Sequence, residues 1–213
     1  MEARGILFIV SAPSGAGKTS LCKEVLRRIR AEGSRELRWS CSYTTRAPRT
    51  GEVHGQDYFF VSDEEFDRMV RAGEFAEWAR VHGHKYGTSL RYLEQAEEEG
   101  IDLLLEIDWQ GARQLREKYT RGRFIFVLPP SGQALQERLA KRGTDSAAEV
   151  AARLETARTE VEEWGLYEYL IINDDFARAA EELWAVITAD RCRRERKRET
   201  VEEILKTFET RSR

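Results

Sequence analysis

The segment Ser11-Ala12-Pro13-Ser14-Gly15-Ala16-Gly17-Lys18-Thr19 follows directly on the apolar run Ile6-Leu7-Phe8-Ile9-Val10, and its residue types and spacing suit the holding of phosphate. A buried strand that stops in small residues and restarts as a helix leaves backbone N–H groups free at the helix N-terminus, where the macrodipole also favours anions. Glycines let that backbone close around phosphate oxygens with no side chain in the way. In such a loop Lys18 reaches the β- and γ-phosphates of a nucleotide, and the Thr19 hydroxyl ligates Mg2+. The usual pattern has Gly where Ala12 stands, so the match is incomplete at its first position, while Gly15 and Gly17 keep the freedom nearest the phosphates. The competing reading is a Gly/Ser-rich turn with no ligand.

Two further sets of residues carry chemistry. Glu106-Ile107-Asp108 closes another apolar run, and carboxylates at such a position hold Mg2+ directly or through water, or else pair with a nearby arginine. In the stretch from Ser42 to Tyr58, Arg46 and Arg49 flank Pro48, which stiffens their spacing. A guanidinium offers a planar fork of donors that matches phosphate oxygens, so this pair suits a second phosphate group; the plain alternative is an exposed basic loop.

The elements that would position these groups alternate along the chain. Strand-like runs at Gly5–Ser11, Asp102–Ile107, Phe124–Leu128 and Tyr169–Ile172 are each followed by a helical pattern, at Lys18–Ala31, Gly111–Lys118, Ser131–Lys141, Ala147–Glu163 and Ala177 onward. That order predicts an α/β fold: a parallel sheet covered by helices on both faces, with ligands at the carboxyl ends of the strands. Residues 37–89 interrupt it. They are rich in Thr, Arg, Gly and aromatics, with strand-like pieces at Asp57–Val61 and Phe75–Val81 around a helical segment near Glu64–Ala72, and read as an inserted subdomain. The core is then 1–36 with 90–213.

Composition excludes several classes. The 213 residues suit one globular unit, and 35 basic against 38 acidic residues give a net charge of −3, which speaks against nucleic acid as the main partner. Apolar runs are too short to cross a bilayer and no signal-peptide pattern opens the chain, so a cytoplasmic protein is expected. Cys22, Cys41 and Cys192 are too widely spaced for a disulfide framework or a C-x-x-C metal site. His54, His82 and His84 read as surface residues.

Taken together, the phosphate loop, Thr44-Thr45-Arg46-x-Pro48-Arg49-x-Gly51-Glu52-x-x-Gly55-x-x-Tyr58, Glu106-Ile107-Asp108-Trp109-Gln110-Gly111-Ala112 and Ile172-Asn173-Asp174-Asp175 resemble the guanylate kinases of bacteria, a P-loop NTPase-like family, in order over nearly the whole chain. The resemblance implies Mg2+-dependent transfer of the γ-phosphoryl group of ATP to GMP or dGMP. Carried over position by position, it places ATP on Ala12, Pro13, Ser14, Gly15, Ala16, Gly17, Lys18, Thr19, Ser20 and Asn173, the last beside the adenine. GMP falls to Ser42, Arg46, Arg49, Tyr58, Glu77, Tyr86, Thr88 and Asp108, the arginines and tyrosines on its phosphate and Ser42, Glu77 and Thr88 on the guanine. Thr19 and Asp108 would serve the metal, with Glu106 beside them, in part through water. Read from the residues alone, Glu77 is equally a solvated acid beside Trp78, and Asn173 to Asp175 equally a turn or helix cap.

The family likeness also makes residues 138–154 a lid, where Arg138, Arg142 and Arg153 would join Lys18 and Arg46 as catalytic cations around the transferring group. Closure of such a lid excludes water, and phosphoryl transfer needs no nucleophilic side chain. The tail from 190 to 213 is basic and then carries Val201, Ile204, Leu205 and Phe208 at helical spacing, as a solvated or packing helix or as a contact for self-association. Two other readings use the same fold: a catalytically inactive guanylate-kinase-like binding module, and a kinase for a different nucleoside monophosphate, which would differ at Ser42, Glu77 and Thr88.

Overall fold

The computed structural model describes residues 5–33, 36–81, 83–119, 122–141 and 147–209. At its centre β1 (Leu7–Ser11) is buried throughout, because both of its neighbours are parallel strands and both faces are covered. β7 (Asp102–Glu106) lies on one side and β8 (Arg123–Leu128) on the other; β2 (Leu37–Trp39) and β9 (Tyr169–Ile172) form the edges, giving the order β2-β7-β1-β8-β9. Alternate residues of β1 feed two separate cores. Ile6, Phe8 and Val10 face α1 (Lys18–Ala31) and α7 (Phe176–Arg191), meeting Val25, Ile29, Leu183 and Ile187. Leu7 and Ile9 face α3 (Leu90–Glu98) and α4 (Trp109–Lys118), meeting Leu93 and Leu115.

The insert builds a smaller sheet of its own from β3 (Ser42–Thr44), β4 (Tyr58–Phe60), β5 (Phe75–Val81) and β6 (His84–Ser89), in the order β4-β3-β6-β5. α2 (Asp63–Arg71) packs Phe66 and Met69 against Phe75, and Lys85 bridges Asp63 and Asp67 at 2.7 and 2.6 Å to hold that helix to the sheet. β2 pairs with β7 in the core sheet, so the second sheet starts at Ser42 rather than at residue 37, where the compositional break falls. α5 (Gly132–Lys141) and α6 (Ala147–Glu162) pack on each other through Leu135, Leu139, Leu154 and Ala157. A 3-10 turn (Glu163–Leu166) leads into β9, and α8 (Arg194–Glu209) ends the described chain with Val201, Ile204, Leu205 and Phe208 exposed. No helix among the described residues is long and apolar enough to cross a membrane.

Two buried acids fasten the sheet at the end away from the phosphate loop. Asp102, the first residue of β7, accepts from the Ile6 amide at 3.0 Å and from Arg191 Nε at 2.9 Å. Beside it Asp190 accepts from Arg123 Nε at the start of β8. The last turn of α7 is thus tied to two strand starts, which leaves the opposite edge free for loops. Asp102→Ala strips the half-buried Arg191 of this carboxylate and the Ile6 amide of its acceptor, and should lower stability by about 3–5 kcal/mol in urea titration. The residual folded protein should bind nucleotide normally, since the clamp lies at the far end of the strands.

Candidate active site at the carboxyl edge of the sheet

The loop after β1 wraps into α1 without a side-chain cap. Ser62, Ser89, Asp108, Ser131 and Asp175 cap α2, α3, α4, α5 and α7 by accepting a first-turn amide, whereas α1 starts at Gly17 with no such bond. Its leading amides therefore face an open cleft. Gly15 and Gly17 both hold φ of +95°, a conformation that resists any side chain. A Cβ at Gly17 would lie 2.5 Å from Asn173 Nδ2, and one at Gly15 would press on Leu135 and Leu139 of α5. Ala12 occupies the first position by packing against the core on the α1 side, where its methyl is accommodated.

The expected ATP residues Ala12, Pro13, Ser14, Gly15, Gly17, Lys18, Thr19 and Ser20 line this cleft together with Arg49, Tyr58, Val81, Glu106, Asp108 and Glu160. Ala16 is buried beneath it. Lys18 Nζ donates to the Ile107 carbonyl at 2.8 Å and sits 4.0 Å from Glu106. Thr19 Oγ1 donates to Glu106 Oε1 at 2.5 Å. A hydroxyl and a carboxylate so placed are hard oxygen donors that fit Mg2+, an ion that keeps waters and takes phosphate oxygens and so needs few protein ligands. Among the described residues no cluster of three or more His, Cys, Asp or Glu forms an all-protein metal cage. Asp108 accepts from the Gly111 amide and from Gln110 Nε2, each at 2.9 Å, so it caps α4 while facing the cleft.

A second cleft adjoins the first, lined by Ser42, Tyr58, Glu77, Val81, Tyr86 and Ile107, and it shares Lys18, Tyr58, Val81, Glu106 and Asp108 with the phosphate loop's cleft. Glu77 is 3 % exposed and accepts from Thr88 Oγ1 at 2.5 Å. It nests over the first turn of α4, where a Cβ on Gly111 would meet its Oε2 at 2.3 Å. Burial pushes its carboxyl from 4.5 up to about 7, against the Thr88 hydrogen bond and with Asp108 adding to the rise. Tyr58 and Tyr86 meet edge to face at 6.0 Å. Arg46 lies 5.4 Å over the Tyr58 ring and pairs with Glu52 at 2.8 Å, while Arg49 is exposed at the rim.

The remaining expected residues are distributed unevenly. Asn173 is buried behind the loop, its amide donating to the Ala16 carbonyl at 2.7 Å, and its own carbonyl accepts from Arg138 Nη2 at 2.7 Å. It braces the loop from below, and the helix cap at this turn is Asp175. Arg153 is half-buried on α6, and Arg142 lies outside the described residues, as does His82. His54 and His84 are exposed, His54 Nδ1 accepting from the Phe60 amide at 3.2 Å. Cys22, Cys41 and Cys192 are free thiols. Sequence reasoning missed Glu160: this residue of α6 is 7 % exposed and accepts from the Ser14 amide at 3.4 Å. Burial pushes its carboxyl up to about 7, opposed by the Ser14 amide and Lys18 and reinforced by Asp108.

The chain also resembles known proteins over most of its length. The family model for guanylate kinase matches residues 4–190. The chain belongs to the guanylate kinase family. The guanylate kinase of Geobacter metallireducens is 54 % identical over 203 residues, covering 95 % of this chain and 98 % of that one, and the guanylate kinase of Geobacter sulfurreducens is 52 % identical over 204 residues, covering 96 % and 98 %. The crystal structure of guanylate kinase from Anaplasma phagocytophilum superimposes with a TM-score of 0.77 at 32 % identity, covering 94 % of this chain and 95 % of that one. The fold is accordingly the P-loop type expected of a guanylate kinase, and Lys18 and Thr19 in their places leave the inactive binding module disfavoured.

The titration of Glu77 checks the closed geometry of this site. Carboxyl-carbon NMR should find two glutamates with midpoints near 7, Glu77 and Glu160, of which one disappears in Glu77→Gln, and Thr88→Val should move that one higher by removing the hydrogen bond that favours the charged form. Because the folded protein holds this proton more tightly than the unfolded chain, stability contributed here is largest below the ordinary value of 4.5 and declines as pH rises through about 7.

Proposed function

We propose that the chain transfers the γ-phosphoryl group of ATP to GMP, and that the two adjoining clefts are its donor and acceptor sites. The observation that carries this reading is the shared wall of Lys18, Tyr58, Glu106 and Asp108, which sets an anion-binding loop against a pocket with a buried carboxylate. Phosphoryl transfer needs an in-line pair of phosphates and positive charge between them more than covalent catalysis. Lys18, at the junction, supplies that charge to the donor side, and Arg46 and Arg49 supply it to the acceptor phosphate. Thr19 with Glu106 would hold Mg2+, which when bound neutralises charge on the phosphate oxygens. Arg138 and Arg153, on α5 and α6, carry further guanidinium groups on the lid side.

Base choice falls to Glu77. Guanine presents N1–H and N2–H2 donors side by side, which one ionised carboxylate accepts together, while adenine offers an acceptor at N1 and would leave a buried charge unpaired. Each group left so costs about 1–3 kcal/mol, enough to reject the wrong base by orders of magnitude. Ser42 and Thr88, both buried beside it, complete the polar lining. A coupled assay with GMP, dGMP, AMP, UMP and CMP as acceptors should register the guanine nucleotides alone. Lys18→Ala should abolish turnover and leave GMP binding in place. Glu77→Gln should raise the KM for GMP roughly tenfold or more with that for ATP nearly constant, the pattern of a lost base contact; equal rises would remove Glu77 from base recognition.

For partners beyond nucleotides, α8 favours a second copy of the chain. Its apolar residues at 201, 204, 205 and 208 form one stripe, with Phe208 71 % exposed, and an isolated helix with such a face is stabilised by burying it against a like surface. Sedimentation velocity should show a concentration-dependent dimer or larger species that Leu205→Glu converts to monomer with the fold unchanged.

A further inference from the structure

The donor cleft holds one more acid than its described roles use. Glu106 is engaged by Thr19, and Asp108 caps α4. Glu160 has no such occupation. It comes from the last turns of α6, three residues beyond Ala157, which packs in the lid core with Leu135 and Leu139, the two side chains that lie under Gly15. That packing fixes the end of α6 beside the phosphate loop and brings the Glu160 carboxylate to the Ser14 amide at 3.4 Å, among the residues that line the cradle. Ser14 belongs to the run of loop amides that a nucleotide phosphate would claim. An anion therefore already sits on one of the cradle's donors.

We propose that Glu160 is a resident competitor for the donor nucleotide: its carboxylate occupies the Ser14 amide while the loop is empty and must yield it when phosphate enters, which sets the affinity for ATP. This rests on the reading of the loop as the ATP site. Among the described residues the charges that face the group are Lys18 from α1 and Asp108 at the start of α4, one attractive and one repulsive, so neither side neutralises the carboxylate outright. Its burial is consistent with that balance, since a desolvated carboxylate beside another acid is held weakly in its charged form. A stand-in of this kind also keeps the loop amide paired when no ligand is present, so a phosphate-shaped backbone need not stay unsatisfied or collapse. Glu160 acts through Ser14 and is a positioning residue.

The test is calorimetric titration of ATP, ADP and GMP into the full chain and into Glu160→Gln, Glu160→Asp and Lys18→Ala. Glu160→Gln keeps the shape and an acceptor oxygen but removes the charge. ATP and ADP should then bind at least about tenfold more tightly, a floor for deleting one like charge a few ångströms from phosphate near a protein surface, while GMP affinity stays unchanged. Steady-state assays should show the same change as a lower KM for ATP with kcat equal or reduced by slower ADP release. Glu160→Asp, charged but a methylene shorter, should bind ATP as the parent chain does or more weakly. Unchanged or weaker ATP binding in Glu160→Gln, or equal changes for ATP and GMP, would overturn the proposal. ATP binding that is indifferent to Lys18→Ala would instead overturn the donor-site reading on which it stands.

Discussion

The structure depends on an unpaired backbone. Between β1 and α1 the chain must present amides toward the cleft with no side-chain cap on the helix that follows, and it must do so without collapsing onto itself. Each neighbouring feature serves that requirement. Gly15 and Gly17 supply a left-handed turn, Asn173 binds the Ala16 carbonyl from behind, and Leu135 and Leu139 support the loop from α5. The central position of β1, with parallel partners on both sides, gives the loop a rigid base. α2, α3, α4, α5 and α7 start on a serine or aspartate that closes their first turn, and α1 starts on a glycine that leaves it open.

The two ends of the sheet divide the work of stability and chemistry. At the amino ends of the strands, Asp102 and Asp190 pair with Arg191 and Arg123 and lock α7 in place. At the carboxyl ends, acids are left against a phosphate site in excess of the cations there, an arrangement that a pure stability argument would not choose. The clamp at the other edge keeps the fold intact while ligands are accommodated here.

Much of this was legible in the chain. α1, β5 and β9 lie at the expected bounds, and β1 falls within the expected apolar run. The phosphate loop was legible because its chemistry is local: glycines, lysine and hydroxyl are contiguous in sequence. β2 was not, because three residues carry no periodicity and their place is decided by pairing with β7. Glu160 was hidden for a different reason. It lies in a helix of mixed charge, Ala147–Glu162, where one glutamate looks like any other until packing turns it inward, 146 positions along the chain from the amide it meets. Asn173 was placed at the right end of the sheet, but whether its amide faced a base or the loop was a question only the third dimension could answer.

Glu77 is carried by the insert, yet the surface that shields it from water is the glycine turn of α4 in the core. Its burial is thus a joint property of two bodies, and anything that parts them returns the carboxylate to solvent and to an ordinary acidity. On the proposed reading, bringing insert and core together around a base without paired donors strands a dehydrated charge, whereas guanine supplies the lost hydration with its own N–H groups. Selectivity then resides in the free energy of shutting the pocket as much as in the contacts made once it is shut, and a substitution at Gly111, whose side chain would press on the Glu77 carboxylate from the core side, would change which base is accepted without itself contacting the base.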